Sequence, residues 1–278
     1  MVHRQKSNTP PNKLIDPKWD QLKNDLLTEK EKHDVDSKCY RDSTIDDLAA
    51  LYNNKCAFCE RSRGTELQVD HYRPKKPRAN TANAKYNQPG YYWLAYTWNN
   101  LLPLCSKCNG NKSNKFPLKI WSETNRISDH TNVNGLIPFK PYDLEWLQTF
   151  EKPYLINPEF DKTPERHFSF THDCQIKGRT DEGEETINIC QLNRKDLIRE
   201  RLEVRQSYVS AIKIAFDDFH NKHQDKSELK GELKATFKKL KLGTDKSFVF
   251  SLFHMFMYTY FVYFIGKKLP DKIRPLAI

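Results

Sequence analysis

The sequence predicts an α+β protein that is mostly helical, with a small zinc-stapled core between N-terminal helices and a larger helical C-terminal region. Two Cys-x-x-Cys pairs, at residues 56–59 and 105–108, enclose short strand-like and turn-like stretches. From residue 191 onward, apolar residues recur instead at the spacing of amphipathic helices. The chain accordingly divides into segments 1–54, 55–120, 121–190 and 191–278.

Two helices are predicted in segment 1–54. Pro17 suits the first turn of a helix over residues 17–34, because a helix start leaves its N–H groups unpaired anyway. The inward face of this helix would consist of Trp19, Leu22 and Leu26. Ser43 is a candidate cap of the second helix. Its inward face would consist of Ile45, Leu48 and Tyr52.

Segment 55–120 alternates short elements with loops. Residues 67–71 have the pattern of a short strand, and residues 91–98 that of a short aromatic helix. A loop rich in proline, asparagine and lysine, residues 73–90, lies between them. A further helix is predicted after the second cysteine pair.

The last two segments change from irregular chain to long helices. Residues 167–170 alternate like a strand and can pair with residues 174–177 through a turn. Asn193 is a candidate cap of a long helix. A later helix carries on one face Leu229, Leu233, Phe237 and Leu240. We expect this helical region to dock a partner.

One apolar stretch, residues 248–265, approaches the length of a membrane helix, because it has 18 residues without a charged side chain. It also contains Ser251, His254, Thr259 and three tyrosines, which are unfavourable in a membrane core. We therefore expect no membrane association and a helix that is buried on all sides, in the core or beneath a partner.

Composition favours a polyanionic partner and a reducing compartment. The 278 residues carry a net charge of +10, and the pI is about 9.1. Mean hydropathy is −0.82 and no apolar run opens the chain, so we expect a cytoplasmic protein without a secretory signal. In that compartment, seven cysteines favour metal ligands or buried thiols over disulfides.

The two cysteine pairs predict one structural zinc ion. Each pair places two thiolates on one tight turn, and two such turns complete a tetrahedral shell without an open position. The predicted ligands are Cys56, Cys59, Cys105 and Cys108. Because 45 residues separate the pairs, more than in an ordinary zinc ribbon, the zinc frames an inserted unit.

The insert contains residues suited to phosphodiester hydrolysis. Asp70 offers a hard oxygen ligand for Mg²⁺ or Mn²⁺. His71 titrates near neutral pH and can take a proton from an attacking water. The two side chains converge only if the strand bends there, which the following proline favours. Asn109 directly follows the second cysteine pair, and its amide oxygen is a candidate second ligand.

Three stretches together resemble the HNH (ββα-metal) endonuclease motif, namely 56–60 (CAFCE), 69–75 (VDHYRPK) and 100–112 (NLLPLCSKCNGNK). The resemblance covers about residues 55–117 and implies a β-hairpin followed by a helix around one divalent ion. It implies that His71 is the general base and Asp70 a metal ligand. It also implies that Asn100 braces the loops and orients the histidine. Asn109 stands where many members have a further histidine, and we keep it as a ligand.

A wider pattern resembles the nuclease subunits of Septu-type anti-phage defence systems, which occur alone or beside a retron. It consists of the stretches 93–96 (WLAY), 155–158 (LINP) and 192–194 (LNR). The resemblance implies an ABC-like ATPase partner (PtuA-type). Where a retron is attached, it implies association with the reverse transcriptase and its msDNA. DNA is the favoured substrate, while cleavage of RNA such as tRNA and a non-catalytic zinc-dependent nucleic-acid or adaptor module stay open.

Basic and aromatic residues surround the motif. Four cations shortly after His71 are candidate phosphate contacts, namely Arg73, Lys75, Lys76 and Arg78. The alternative is that they belong to a solvated loop without such contacts. Lys112 is a further candidate contact to the nucleic-acid backbone. The aromatic residues of 91–98 stack on bases or, as we favour, pack the small zinc-bound unit.

Overall fold

The computed structural model describes residues 1–28, 35–78, 90–119 and 126–269. Helices dominate this part of the chain, and its strands form two separate antiparallel pairs. The strands are β1 (Gln68–His71), β2 (Leu101–Leu104), β3 (Phe168–Phe170) and β4 (Ile176–Gly178). The α-helices are α1 (Asp20–Thr28), α2 (Ile45–Leu51), α3 (Ser106–Lys112), α4 (Leu144–Glu151), α5 (Asp181–Cys190), α6 (Lys195–His220), α7 (Lys226–Leu242), α8 (Ser251–Thr259) and α9 (Phe261–Phe264). The predicted mostly helical α+β class is confirmed.

A ββα unit forms the centre of the fold. Strands β1 and β2 pair with Asp70 opposite Leu102 and His71 opposite Leu101. The strand predicted at 67–71 is confirmed. The helix predicted after the second cysteine pair instead begins within that pair, because α3 follows β2 directly and starts at Ser106. All four residues of β2 are buried, which places this strand inside the molecule.

The predicted aromatic helix at 91–98 is wrong. The chain forms two short 3-10 turns there, Tyr92–Leu94 and Trp98–Asn100. In this stretch the Leu94 carbonyl accepts the Thr97 N–H at 3.2 Å and the Asn100 side chain, and the Ala95 carbonyl accepts a hydrogen bond from His71. The aromatic rings nevertheless pack inside as favoured, since Tyr91, Tyr92, Trp93 and Trp98 are buried.

The N-terminal segment contains the two predicted helices. A 3-10 turn at Pro17–Trp19 leads into α1, and the predicted continuation over residues 29–34 lies outside the described residues. The cap assigned to Ser43 is wrong, because Ser43 ends the preceding π-helical turn Lys38–Asp42 and α2 begins only at Ile45. Thr44 occupies the cap position of α2 instead.

The predicted hairpin is confirmed by the pairing of β3 with β4. The cap assigned to Asn193 is wrong, because its side chain forms two hydrogen bonds with the backbone of Ile176. Its Oδ1 accepts from the Ile176 N–H at 2.8 Å, and its Nδ2 donates to the Ile176 carbonyl at 2.7 Å. Helix α6 therefore begins after Arg194.

The apolar stretch 248–265 is divided between α8 and α9, with Tyr260 in a non-helical conformation between them. Burial on all sides within the core of this chain is wrong, because five side chains of the stretch are exposed: Phe248, Tyr258, Tyr260, Val262 and Tyr263. Burial beneath a partner stays a prediction. Among the described residues, no helix is sufficiently long and apolar to span a membrane.

The C-terminal helices are anchored to the first cysteine turn. Arg61 forms ion pairs with Asp196 at 2.8 Å and Glu200 at 2.6 Å, both on α6. Glu60 accepts a hydrogen bond from the hydroxyl of Ser251 on α8 at 2.7 Å. These helices therefore support the central unit in addition to any docking role.

A buried ion pair connects the loop after β1 to α4. Arg73 and Glu151 are fully buried and paired with each other. The other Glu151 oxygen accepts hydrogen bonds from the Tyr91 hydroxyl at 2.9 Å and the Ile127 N–H at 2.8 Å. Removing one partner would leave an uncompensated charge in the core.

We expect Glu151→Gln to lower the free energy of unfolding by about 3–5 kcal/mol, because Arg73 would lose its counter-ion in the core. Glu203→Gln is the matched control, since Glu203 pairs with Arg199 on the exposed side of α6. That variant should lose less than about 1 kcal/mol. Chemical denaturation followed by circular dichroism measures both, and equal losses would contradict the prediction.

Candidate metal centre and active site

Four cysteine side chains converge in the interior. The sulfur atoms of Cys56, Cys59, Cys105 and Cys108 all lie within 4.8 Å of one another, and all four residues are buried. The Cys59 and Cys105 sulfurs are 3.8 Å apart. Zinc–sulfur bonds of about 2.3 Å in a tetrahedron separate sulfurs by roughly 3.8 Å. The four thiol groups therefore fit a structural zinc ion.

Local hydrogen bonds shape both cysteine turns. In the first turn, the Cys56 N–H donates to the Arg61 carbonyl at 3.0 Å, and the Ala57 N–H donates to the Pro103 carbonyl on β2 at 2.9 Å. In the second turn, Cys105 caps α3, and its sulfur accepts the Cys108 N–H at 3.4 Å. Since α3 starts at the metal cluster, a bound ion would fix the position of this helix.

Arg194 supports the cluster, and the sequence alone gave it no role. Its guanidinium lies 3.5 Å from the Cys108 sulfur and 3.8 Å from the Cys105 sulfur. Burial opposes its charge, yet the neighbouring Cys108 and Cys59 sulfurs outweigh burial and raise its pKa. Arg194 belongs to the stretch 192–194 that resembles Septu-type nuclease subunits. Its contact with the cysteines, however, is visible only in the folded structure. A cation here favours thiolates, which are the form that binds zinc.

His71 is buried at the end of β1, and one hydrogen bond fixes its tautomer. Its Nε2 lies 2.9 Å from the Ala95 carbonyl. A carbonyl oxygen can only accept, so Nε2 carries the proton and Nδ1 is the basic nitrogen. Burial, and secondarily the charge of Lys75, lowers the pKa of His71 to about 3. The Tyr40 ring packs edge-on against the imidazole at 4.6 Å between centroids.

Asn100 connects the two loops beside His71. Its Oδ1 accepts the Arg73 N–H at 2.8 Å, and its Nδ2 donates to the carbonyls of Arg73 at 3.1 Å and Leu94 at 3.2 Å. Leu94 precedes Ala95, the hydrogen-bond partner of the imidazole. Asn100 thus braces both loops. Its side chain is linked to His71 through the backbone of Leu94 and Ala95, which makes Asn100 a positioning residue.

Asp70 and Asn109 lie at the contact between β1 and α3. Asp70 Oδ2 is 2.8 Å from the ammonium of Lys112, which also donates to the His71 carbonyl at 2.6 Å. Asn109 Nδ2 donates to the Gln68 side chain at 2.8 Å. Because Gln68 and Asp70 share one face of β1, Asp70 and Asn109 lie on the same side of the hairpin. The bend predicted at Asp70–His71 is wrong in position, because the strand continues through His71 and the chain bends at residues 72–73. Convergence of the two side chains on one phosphate stays a prediction.

Two predicted phosphate contacts need correction. Arg73 is fully buried and paired with Glu151, and Lys112 is fully buried and paired with Asp70. Neither cation reaches a surface that a nucleic acid can touch, so both have internal roles. Lys76 is exposed, whereas Lys75 and Arg78 are half-exposed. Lys75 also donates to the Tyr40 hydroxyl at 3.0 Å.

The chain is similar to proteins of the Septu group. It is 28% identical to Septu protein PtuB of Bacillus mycoides (strain KBAB4), over 72% of this chain and 65% of that protein. It is 27% identical to Septu protein PtuB of Bacillus thuringiensis, over 54% and 40% of the two chains. It is 29% identical to Septu protein PtuA of Bacillus mycoides (strain KBAB4), over 58% of this chain and 20% of that protein.

The matched regions thus span less than two thirds of each of these relatives. No protein-family model matches the chain. No solved structure matches it either.

We expect the purified protein to contain about one zinc ion per chain, and Cys105→Ser to lose most of it, because three thiolates leave the shell incomplete. Cys39→Ala is the matched control. Burial raises the pKa of that thiol to about 11, and Cys39 lies outside the four-sulfur cluster. Elemental analysis measures zinc in each variant. Full zinc content in Cys105→Ser would contradict the assignment.

Proposed function

We propose that this chain is a metal-dependent HNH endonuclease and the effector of a Septu-type anti-phage defence system. The observation that carries the proposal is the fixed tautomer of His71, at the end of the ββα hairpin and next to Asp70. The sequence resemblance assigns the base to this same histidine. The buried four-cysteine cluster, if it binds zinc, would hold the hairpin and the start of α3 together.

The proposed proton transfer uses Nδ1 of His71. Burial lowers the pKa of His71 to about 3, so the imidazole is neutral near pH 7 and Nδ1 has a lone pair that can accept a proton from water. The same shift makes it a weaker base than the near-neutral histidine that the sequence predicted. The Ala95 carbonyl holds Nε2–H, and Asn100 holds the adjacent Leu94 carbonyl in place. The ring is thus aligned before the substrate arrives. The expected products carry a 5′-phosphate and a 3′-hydroxyl.

Asp70 and Asn109 would hold the catalytic Mg²⁺ or Mn²⁺. Asp70 Oδ2 is buried and ion-paired with Lys112 at 2.8 Å, so a bound ion would share this carboxylate with the ammonium. Asn109 donates through Nδ2, which leaves its Oδ1 available to a ligand. Both donors are hard oxygens and fit such an ion. A divalent ion bound there would stabilise negative charge on the phosphate and on the leaving 3′ oxygen.

The proposed partner is an ABC-like ATPase subunit of PtuA type. Similarity to proteins named PtuB supports a partnership of this chain with PtuA in a Septu system. A stretch like this chain also occurs within a protein named PtuA, where it makes up 20% of the length. When a stretch similar to this chain is part of a PtuA protein, the two are physically joined. We therefore expect the separate chains to associate. A retron reverse transcriptase and its msDNA would join through the same complex.

DNA is the proposed substrate, because the proposed chemistry does not involve a 2′-hydroxyl. RNA such as tRNA is the alternative, and cleavage assays on both polymers separate the two. A zinc-bound wild-type protein that binds nucleic acid with its ATPase partner, yet never cuts under any divalent ion, would instead favour a non-catalytic module.

We expect His71→Ala to reduce the cleavage rate by on the order of 10²–10⁴-fold in Mg²⁺ or Mn²⁺, because the general base is lost. Zinc content and circular dichroism should not change. His223→Ala, which alters an exposed histidine, should cut like the wild type. Gel assays with the ATPase partner measure the rates. Undiminished cleavage by His71→Ala would refute the assignment of the base.

We expect replacement of Lys75, Lys76 and Arg78 by glutamine to weaken nucleic-acid binding, because up to three phosphate contacts are lost. The slope of log K against log salt concentration should fall by about one for each contact. Three exposed lysines of α7 provide a charge-matched control: Lys230, Lys234 and Lys238. Binding is measured in the His71→Ala background, so that the substrate stays intact. Equal slopes in the two triple variants would argue against a phosphate role.

A further inference from the structure

A cavity of about 490 Å³ opens between the end of α4 and the turn that precedes β3. Its floor includes the buried residues Leu155, Ile156, Asn157 and His167. Three of these belong to stretch 155–158, for which the sequence alone offered no chemistry. Neither the four-cysteine cluster nor His71 lines this cavity.

Asn157 presents an unused hydrogen-bond donor in this floor. The residue is 1% exposed, and its Oδ1 accepts the Glu159 N–H at 2.9 Å. Rotating the amide by 180° would place two donors against each other, so this bond identifies Nδ2 as the second amide atom. Nδ2 is buried and has no hydrogen-bond partner in the described part of the chain. A buried donor of this kind needs an acceptor, which an ordered water or a ligand that reaches the floor supplies.

The rim of the cavity has an excess of positive charge. Its two carboxylates are already paired, Glu182 with Lys119, and Asp161 with His167 at 2.7 Å and Arg166 at 3.3 Å. Lys152 and Lys162 add two exposed cations, and neither pairs with a carboxylate among the residues that the structure describes. The cavity therefore favours an anionic ligand.

The position of Lys152 is set by the backbone. Lys152 ends α4 in a left-handed conformation, and its carbonyl accepts the Lys119 N–H at 3.0 Å. An isolated bridge between Leu118 and Pro153 continues this pairing. Two cations from distant parts of the chain are thus held side by side at one end of the rim.

An aromatic ring completes the lining. Phe160 is half-buried in the cavity wall, three residues after Asn157. A ring that can stack, an amide that can bind a heterocycle edge and cations that can bind phosphate together match a nucleotide. The volume lies within the range of small-molecule sites.

We propose that this cavity binds a mononucleotide, with the base at Asn157 and Phe160 and the phosphates at Lys152 and Lys162. Gln148 extends the cavity wall towards the hairpin, because it hydrogen-bonds the hydroxyl of Tyr72, the residue after His71. The bound nucleotide is therefore one hydrogen bond away from the β1 loop. The proposal does not rest on nuclease activity.

The test is a fluorescence titration of the full-length zinc-bound chain with N-methylanthraniloyl-ATP, competed by unlabelled ATP, by pyrophosphate and by a ten-residue oligodeoxythymidylate. We expect saturable binding that unlabelled ATP displaces. Asn157→Asp keeps the Oδ1 acceptor but removes the donor, and should weaken binding about tenfold or more. Lys152→Gln with Lys162→Gln should weaken it by a similar factor. The matched control, Lys230→Gln with Lys234→Gln on α7, should bind like the wild type.

Several results would overturn the proposal. These are absence of saturable binding, unchanged affinity in both cavity variants, or an equal loss in the α7 control. Pyrophosphate that competes as well as ATP would remove the nucleoside from the assignment, and preferential displacement by the oligonucleotide would assign the cavity to a strand. Circular dichroism and zinc content verify folding, and the lysine variants leave the Asn157 turn intact. Because binding is measured without cleavage, the result is separate from that of the nuclease assay.

Discussion

Four cysteine sulfurs within 4.8 Å of one another are the constraint on which the rest of this structure depends. Strands β1 and β2 have four residues each, too few to be stable alone. A metal ion bound by these sulfurs would join the turn before β1 to the start of α3 and couple ion binding to folding. Arg194 adds α6 to the same cluster. The helical C-terminal region and the small hairpin are therefore parts of one arrangement.

The second constraint is the burial of polar groups around the hairpin. His71, Asn100 and Arg73 are almost or entirely buried, so their donors and acceptors need internal partners. The carbonyls of Leu94 and Ala95 supply two of these partners, and the stretch that contains them forms short 3-10 turns in place of a regular helix. A side chain held by such bonds loses little freedom when a substrate binds, which suits the proposed role of His71.

Charged side chains have different roles in the interior and on the surface of this protein. The net charge of +10 suggests that basic residues near the motif face a polyanion. Arg73, Lys112 and Arg194 instead face Glu151, Asp70 and the cysteine sulfurs. Lys75, Lys76 and Arg78 are the members of the predicted set that stay at least half-exposed. The role of a basic residue therefore cannot be assigned from the sequence until its burial and its counter-ion are known.

The sequence by itself determined the fold class, the clustering of the four cysteines, strand β1, helix α3 and the hairpin of β3 and β4. These features follow from spacing and periodicity, which act over a few residues. Only the tertiary structure decided the tautomer of His71, the internal roles of Arg73 and Lys112, and the contact of Arg194 with the cysteines. Each of these depends on partners 24 to 89 residues away in the sequence. The cap predicted at Asn193 failed for a related reason, because its side chain is hydrogen-bonded to Ile176, 17 residues away. The cap predicted at Ser43 failed for a local reason, because a π-helical turn extends to Asp42 and α2 begins only at Ile45.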